Sequence, residues 1–266
     1  MKQISFDISS AMLTDGVGKA LHPNKDGIYE KIALLVLGKV SRNNKEYDVE
    51  SMVQQITNPA SVFYKKLKGG GLEGEWCHPL VFREEELARI ATIDRTKVSH
   101  TIHRVYTGET TEKGYTIVYG DIEPSGPYGQ YLHESFQNPK KNTAFSLRSL
   151  VSKIGQVGPV IKQYVNALIT IDAVDVGGYP EAAKVYVQGL ESLATGFDKI
   201  IKPEACMPEL KTVLGVESID DQQLLDLLEV NSVTINTTLR GIMDSESKSI
   251  ITDRGNKSIF HAAFGE

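Results

Sequence analysis

The sequence lacks several features that would point to particular classes of protein. Its 266 residues include two cysteines, Cys77 and Cys206, too few for a disulfide framework, and they indicate reduced thiols in a reducing compartment. No stretch reaches the roughly 18 apolar residues of a membrane-spanning helix, and residues 1–16 lack the apolar core of a signal peptide. The formal net charge is −5 without a basic block, which argues against nucleic acid or an anionic membrane as partner. We expect a soluble, non-secreted protein.

Hydrophobic periodicity separates a part of the sequence rich in strands from a later part rich in helices. Strands are predicted where apolar runs or alternating residues are bounded by turn residues, at 28–40, 98–106, 115–122, 144–149 and 164–176. Helices are predicted at 48–67, interrupted at Asn58-Pro59, and at 123–139, ended by Asn138-Pro139. Helical periodicity over 180–199 and 221–230 predicts a helical C-terminal part. The polar stretch 241–266 is expected to be partly disordered or to dock elsewhere.

Two short segments supply a histidine and a serine that could act together. They are Gly-Glu-Trp-Cys-His-Pro at 74–79 and Ala-Phe-Ser-Leu-Arg-Ser at 144–149. A serine hydroxyl becomes an effective nucleophile when an imidazole within hydrogen-bond reach takes its proton. Strand alternation places Ser146 and Arg148 on one face and the competing Ser149 on the other. From these residues alone, structural roles for His78 and Ser146 stay open beside catalytic ones.

Asp172 is a carboxylate within an apolar, strand-like segment. Burying an ionised carboxylate without a partner costs several kcal/mol, so we expect a cation or a hydrogen-bonded histidine beside it. Asp175, closer to the end of the strand, is the alternative. Cys77 and His78 cannot form a dyad with each other, because adjacent residues of an extended chain point to opposite faces.

A metal site is the remaining way to combine these side chains. Its candidate ligands are Cys77, His78, His100 and His103. Their spacing matches no recognised zinc motif, so we expect no metal and no cofactor.

Taken in order, these segments resemble the prohead core proteases of tailed bacteriophages, the serine peptidases that mature the capsid precursor. The resemblance covers roughly residues 28–185. The matching pieces are Val-Ser-Arg-Asn-Asn-Lys-Glu-Tyr at 40–47, the segment 74–79, Val-Ser-His-Thr-Ile at 98–102, Gly-Pro-Tyr-Gly-Gln-Tyr-Leu at 126–132, the segment 144–149, Ile-Asp-Ala-Val-Asp at 171–175 and Pro-Glu-Ala at 180–182. Each piece alone is weakly specific, but the order of all the pieces together is fairly specific.

The resemblance implies a fold and a set of roles. Because these enzymes are similar to herpesvirus assemblins, it implies an α+β fold, mainly an antiparallel β-barrel flanked by helices, over 1–185. A helical extension at 186–266, partly disordered or processed, follows. By position His78 becomes the general base, Ser146 the nucleophile and Asp172 the group that orients the imidazole.

The chain also departs from the family pattern. The family usually has Gly-Val-Ser-Ser-Arg-Gly where this sequence has residues 144–149, so glycines near the serine are missing. Its tyrosine-proline pair is Tyr47-Asp48 here. Oxyanion donors are therefore expected among backbone amides near Arg148 or around Gly177 and Gly178.

The implied function is a serine endopeptidase that cleaves scaffold or core proteins and the major capsid precursor inside the viral procapsid, in the host cytoplasm. The resemblance implies cleavage after glutamate, and Glu266 at the end of the sequence fits self-processing. A homodimer or higher oligomer is expected. Two alternatives stay open: a catalytically inactive structural component of the procapsid core, and a metal-dependent hydrolase built from the histidines.

Overall fold

The computed structural model describes residues 4–10, 20–41, 44–79, 88–110, 114–141, 143–174, 197–200 and 203–229. The strands are β1 (Ile4–Ser10), β2 (Tyr29–Leu37), β3 (Lys45–Tyr47), β4 (Glu73–Glu75), β5 (Val98–Thr110), β6 (Thr116–Pro124), β7 (Ala144–Val157), β8 (Val160–Val174) and β9 (Phe197–Ile200). The helices are α1 (Val49–Thr57), α2 (Val62–Lys68), α3 (Ala88–Ala91), α4 (Gly129–Gln137), a 3₁₀ turn (Pro203–Ala205), α5 (Met207–Leu214) and α6 (Asp221–Glu229).

The strands form two sheets. One has five strands in the order β3-β8-β7-β1-β9, and the other has four in the order β2-β6-β5-β4. Within the sheets β3 and β8 run parallel, and the other neighbouring strands pair antiparallel. The predicted mixed α+β class with antiparallel sheets is therefore confirmed. Among the described strands, the hydrogen bonding gives two open sheets and no closed barrel.

Local signals explain where the first helices begin and end. The Asp48 side chain accepts a hydrogen bond from the Ser51 amide at 2.8 Å, which caps α1. The helix ends at Asn58, where the following proline excludes helical backbone. Ser61 then caps α2 through the Tyr64 amide at 3.0 Å. The predicted interruption of the helical segment 48–67 is confirmed.

The main hydrophobic core fills the space between the two sheets and beneath α1, α2 and α4. Its fully buried members include Leu34, Phe63, Ile122, Phe136 and Phe145. Gly120 allows β6 to approach β2, since a Cβ there would lie 2.4 Å from Leu34 Cδ1. The core thus holds β7 and β8, the two longest strands, against the second sheet.

A second hydrophobic cluster joins the C-terminal helices to the outer side of the five-stranded sheet. Leu150, Ala167 and Ile169 of the sheet pack with Leu210 of α5 and Leu224 of α6. The predicted helix at 221–230 is confirmed as α6. The described helices include none that is long and apolar enough to cross a lipid bilayer.

Several boundaries differ from the predicted ranges, and the contacts explain two of these differences. Residues 197–199, at the end of the predicted helix 180–199, belong to strand β9 because this segment pairs with β1, a contact distant in sequence. Strand β5 continues to Thr110, into the predicted turn 107–114, because Gly108 leaves room for the Tyr119 ring, 2.6 Å from where a Cβ would stand. The remainder of 180–199 and the stretch 241–266 lie outside the described residues.

Candidate active site

The site begins with a pair of residues on neighbouring strands. Ser146 of β7 lies directly opposite Asp172 of β8 in the antiparallel register. Side chains of such a pair project from the same face of the sheet, with Cβ atoms about 5 Å apart. Both residues are completely buried. Pairing of the two long strands therefore brings together a serine and an aspartate that are far apart in the sequence.

The segment from β4 to His78 runs along the end of β8. Trp76 forms a parallel bridge with Ala173, and the Cys77 amide donates to the Ala173 carbonyl at 2.8 Å. Cys77 has φ of 64°, in the left-handed region that residues with a side chain rarely adopt. This turn of the backbone comes immediately before His78 and ends the run along β8. The unusual conformation thus falls where the chain turns toward Asp172.

Gly74 is required by the close approach of β4 to its neighbours. A Cβ at this position would stand 2.2 Å from the Ile171 carbonyl oxygen and 2.3 Å from Cε1 of His100. A backbone carbonyl and a buried ring leave no room for a methyl group. The glycine of the first signature thus permits the packing that places His78.

His78 connects the serine and the aspartate through its two ring nitrogens. Nδ1 lies 2.8 Å from Oδ2 of Asp172, and Nε2 is hydrogen-bonded to Oγ of Ser146. Because an ionised carboxylate only accepts hydrogen bonds, Nδ1 carries the proton and Nε2 accepts from the serine hydroxyl. The His78 side chain is 19% exposed. We call these three residues the candidate triad.

A buried charge network surrounds Asp172. The Arg148 guanidinium donates to Oδ1 of Asp172 at 2.9 Å and to Oε1 of Glu75 at 3.1 Å. The Glu75 amide also donates to Oδ1 of Asp172, at 2.9 Å. Burial raises the pKa of Asp172, but the charge of Arg148 and the hydrogen bonds from His78 and Glu75 outweigh it, so the pKa lies below its usual value. Asp172 is an anion at neutral pH.

The two histidines of β5, His100 and His103, lie outside the candidate triad. His100 is fully buried, donates from Nε2 to the Ile171 carbonyl at 3.1 Å and accepts at Nδ1 from Ser99, 2.8 Å away. Burial lowers the pKa of His100 to about 4, against smaller opposing effects of the Asp172 charge and the Ile171 carbonyl. His103 pairs instead with Glu123 at 2.6 Å. Within the described ranges, no three His, Cys, Asp or Glu side chains form a metal-binding cluster.

The structure brings His78, Ser146 and Asp172 together, as the family resemblance implied. Arg148 lies on the same face of β7 as Ser146, and its guanidinium is buried against carboxylates. Its backbone pairs with both β1 and β8. Ser149 is also buried, and its Oγ has no hydrogen-bond partner among the described residues. Asp175, Gly177 and Gly178 lie outside the described residues. No disulfide joins Cys77 and Cys206.

Sequence reasoning missed the roles of two charged residues, Glu75 and Arg89. Glu75 is fully buried, and Arg89 donates to both of its carboxylate oxygens, at 3.0 and 2.5 Å. The sequence did carry a signal for Glu75, because it is an acidic residue within the predicted site segment 74–79. Strand alternation places its side chain on the opposite face from Gly74. Arg89 carried no signal, because its contact depends on how α3 packs.

Comparison with known proteins places the chain among the peptidases. The model of the Peptidase S80 family matches residues 8–235. A curated relative, the capsid maturation protease of Pseudomonas phage phiKZ, is 34% identical over 201 residues, which are 70% of this chain and 71% of the relative. The chain belongs to the Peptidase S80 family. The match continues past residue 185 into the part that contains β9, α5 and α6.

A solved structure also resembles this one. The bacteriophage T4 capsid assembly protease, gp21, superposes with a TM-score of 0.49 at 15% sequence identity, over 64% of this chain and 98% of that one.

Proposed function

We propose that the protein is a serine endopeptidase whose catalytic residues are Ser146, His78 and Asp172. The observation that supports this most strongly is the continuous hydrogen bonding from Asp172 through both nitrogens of His78 to the Ser146 hydroxyl. Three residues from three separate segments are arranged as carboxylate, imidazole and hydroxyl, the arrangement that serine catalysis requires. Membership of a peptidase family supports the same reaction class.

The geometry of the candidate triad supports the following steps of acyl transfer. Ser146 Oγ attacks the scissile carbonyl carbon while Nε2 of His78 takes its proton, and the anion of Asp172 stabilises the resulting imidazolium. As the C–N bond breaks, Nε2 returns the proton to the leaving amine. Water then attacks the acyl-enzyme with His78 again as base. For the oxyanion we propose backbone amides near Arg148 or around Gly177 and Gly178.

The substrates we propose are the scaffold or core proteins and the major capsid precursor of a phage procapsid. The relative named as a capsid maturation protease supports this role, and with it a location inside the procapsid in the host cell. From the resemblance described above we further propose cleavage after glutamate, self-cleavage, a dimer or higher oligomer, and likeness to the assemblin fold.

Replacement of Ser146 tests the proposal, with Ser149 as a matched control. Both serines are buried on β7, and Ser149 points to the opposite face of the sheet. We expect Ser146→Ala to lower cleavage of procapsid proteins at least about 1,000-fold. Ser149→Ala removes a hydroxyl that has no hydrogen-bond partner within the described part of the chain, and it should leave the rate unchanged. Mass spectrometry of the cleaved proteins gives the rate, the cleavage sites and any self-cleavage.

The same experiment separates the alternatives. Equal cleavage by Ser146→Ala and the parent would contradict the assignment of the nucleophile. Absence of cleavage by the parent within procapsids would instead support an inactive structural component. Loss of activity on treatment with a chelator would indicate a metal-dependent hydrolase.

A further inference from the structure

Arg148 is the largest fully buried side chain of the described residues, and both terminal nitrogens of its guanidinium donate to acceptors. One terminal nitrogen contacts Asp172 and Glu75, and the other donates to the carbonyls of Thr92 at 2.9 Å and Ile90 at 3.3 Å. The Nε atom lies 2.7 Å from Oδ2 of Asp172, which is an ion-pair distance without the geometry of a hydrogen bond. An arginine held this completely cannot swing toward a substrate.

The contacts on Asp172 fix its orientation. Oδ1 accepts from the Glu75 amide and from Arg148, while Oδ2 faces His78 and Nε of Arg148. Rotation of the carboxylate would break contacts on both oxygens at once. The carboxylate therefore presents one particular oxygen to the imidazole.

The charges around Asp172 explain the presence of a second buried carboxylate, that of Glu75. Asp172, Glu75 and Arg148 are all fully buried. Arg148 keeps its charge in any protein environment, so it compensates the anion of Asp172 even when His78 is neutral. A lone arginine would also oppose formation of the imidazolium nearby. Glu75 balances that charge, and Arg89, whose side chain is 25% exposed, pairs with Glu75 from the outer side.

We infer that Arg148, held in place by Glu75, is a positioning residue that clamps Asp172 in the orientation required by His78. This inference rests on the proposed serine peptidase function. It assigns Arg148 a role through Asp172, while the oxyanion is left to backbone amides. The same clamp ties the backbone carbonyls of Ile90 and Thr92 to the site.

Replacement of Arg148 tests the inference. We expect Arg148→Met to lower kcat about 10- to 100-fold with KM unchanged, the effect typical of losing a residue that orients a catalytic group. Arg148→Lys should recover part of the loss, because it keeps the charge but not the paired contacts. Arg95→Met is the matched control: Arg95 pairs with Glu73 at the surface, away from Asp172, and its loss should leave kcat unchanged.

A double variant guards against misfolding. Arg148→Met leaves two buried carboxylates short of a partner, whereas Arg148→Met combined with Glu75→Gln removes both members of one pair. If the double variant unfolds cooperatively like the parent and still shows reduced kcat, the inference is supported. A folded double variant with the kcat of the parent would overturn it.

A measurement on the unmodified protein needs no variant to fold. Carboxyl ¹³C NMR should show Asp172 ionised at pH values below the usual aspartate range, and titration at or above that range would overturn the inference. Failure of the proposed function would look different. In that case Ser146→Ala would cleave as fast as the parent, whatever the Arg148 variants do.

Discussion

His100 should make the folded protein less stable as the pH falls below 6.5. In the unfolded chain His100 binds a proton near pH 6.5, whereas in the fold burial holds its pKa at about 4. Between these values the unfolded state binds more protons, so the free energy of unfolding decreases as the pH falls. The full difference corresponds to about 3 kcal/mol, and about 2 kcal/mol of it is lost between pH 7.5 and pH 5.

Urea unfolding of the parent and of His100→Gln at both pH values measures this contribution. We expect the parent to lose about 2 kcal/mol more than the variant between pH 7.5 and pH 5, because the other titrating groups are common to both. Equal losses by the parent and His100→Gln would refute the reasoning, as would an NMR titration of the His100 ring near pH 6.5.

Three further results follow from the structure. Gly74→Ala should lower the free energy of unfolding by about 1–3 kcal/mol, measured by urea unfolding, because of contacts with Ile171 and His100; Gly155→Ala, with open space at its Cβ, should not. Asp172→Asn should lower kcat about 10⁴-fold, since an amide can favour the wrong tautomer of His78, and a loss under tenfold would contradict this. Leu210→Ala should cost about 2–5 kcal/mol on thermal or urea unfolding, and a loss under 1 kcal/mol would contradict the packing of α5.

The ends of several helices could be predicted from the sequence, because the residues that determine them are neighbours in the chain. Asp48 caps α1 through a contact with the amide three residues further along the chain. The turn residues Asn58 and Asn138 end helices for the same local reason. Strand β9 could not be predicted in this way. Its pairing with β1 depends on residues about 190 positions earlier, and a segment of four residues is too short for periodicity to distinguish a strand from a helix.

The candidate site shows the same division. Burial of Asp172 in an apolar strand predicted a cation or a histidine beside it, and the structure supplies both, as Arg148 and His78. The pairing of Ser146 with Asp172 depends on the register of two long strands with bulges, which no local pattern determines. The role of Glu75 could not be predicted either, because its contact with Arg148 depends on that register and on the path of β4.

Labelling with a fluorophosphonate tests the central claim most directly, because this class of reagent reacts with a serine whose proton an adjacent base takes as the serine attacks. Peptide mass spectrometry of the labelled protein should show one adduct, on Ser146, in the parent and in Ser149→Ala. It should show none in Ser146→Ala and a strongly reduced amount in His78→Ala. An adduct on another residue, or equal labelling of the parent and Ser146→Ala, would contradict the account.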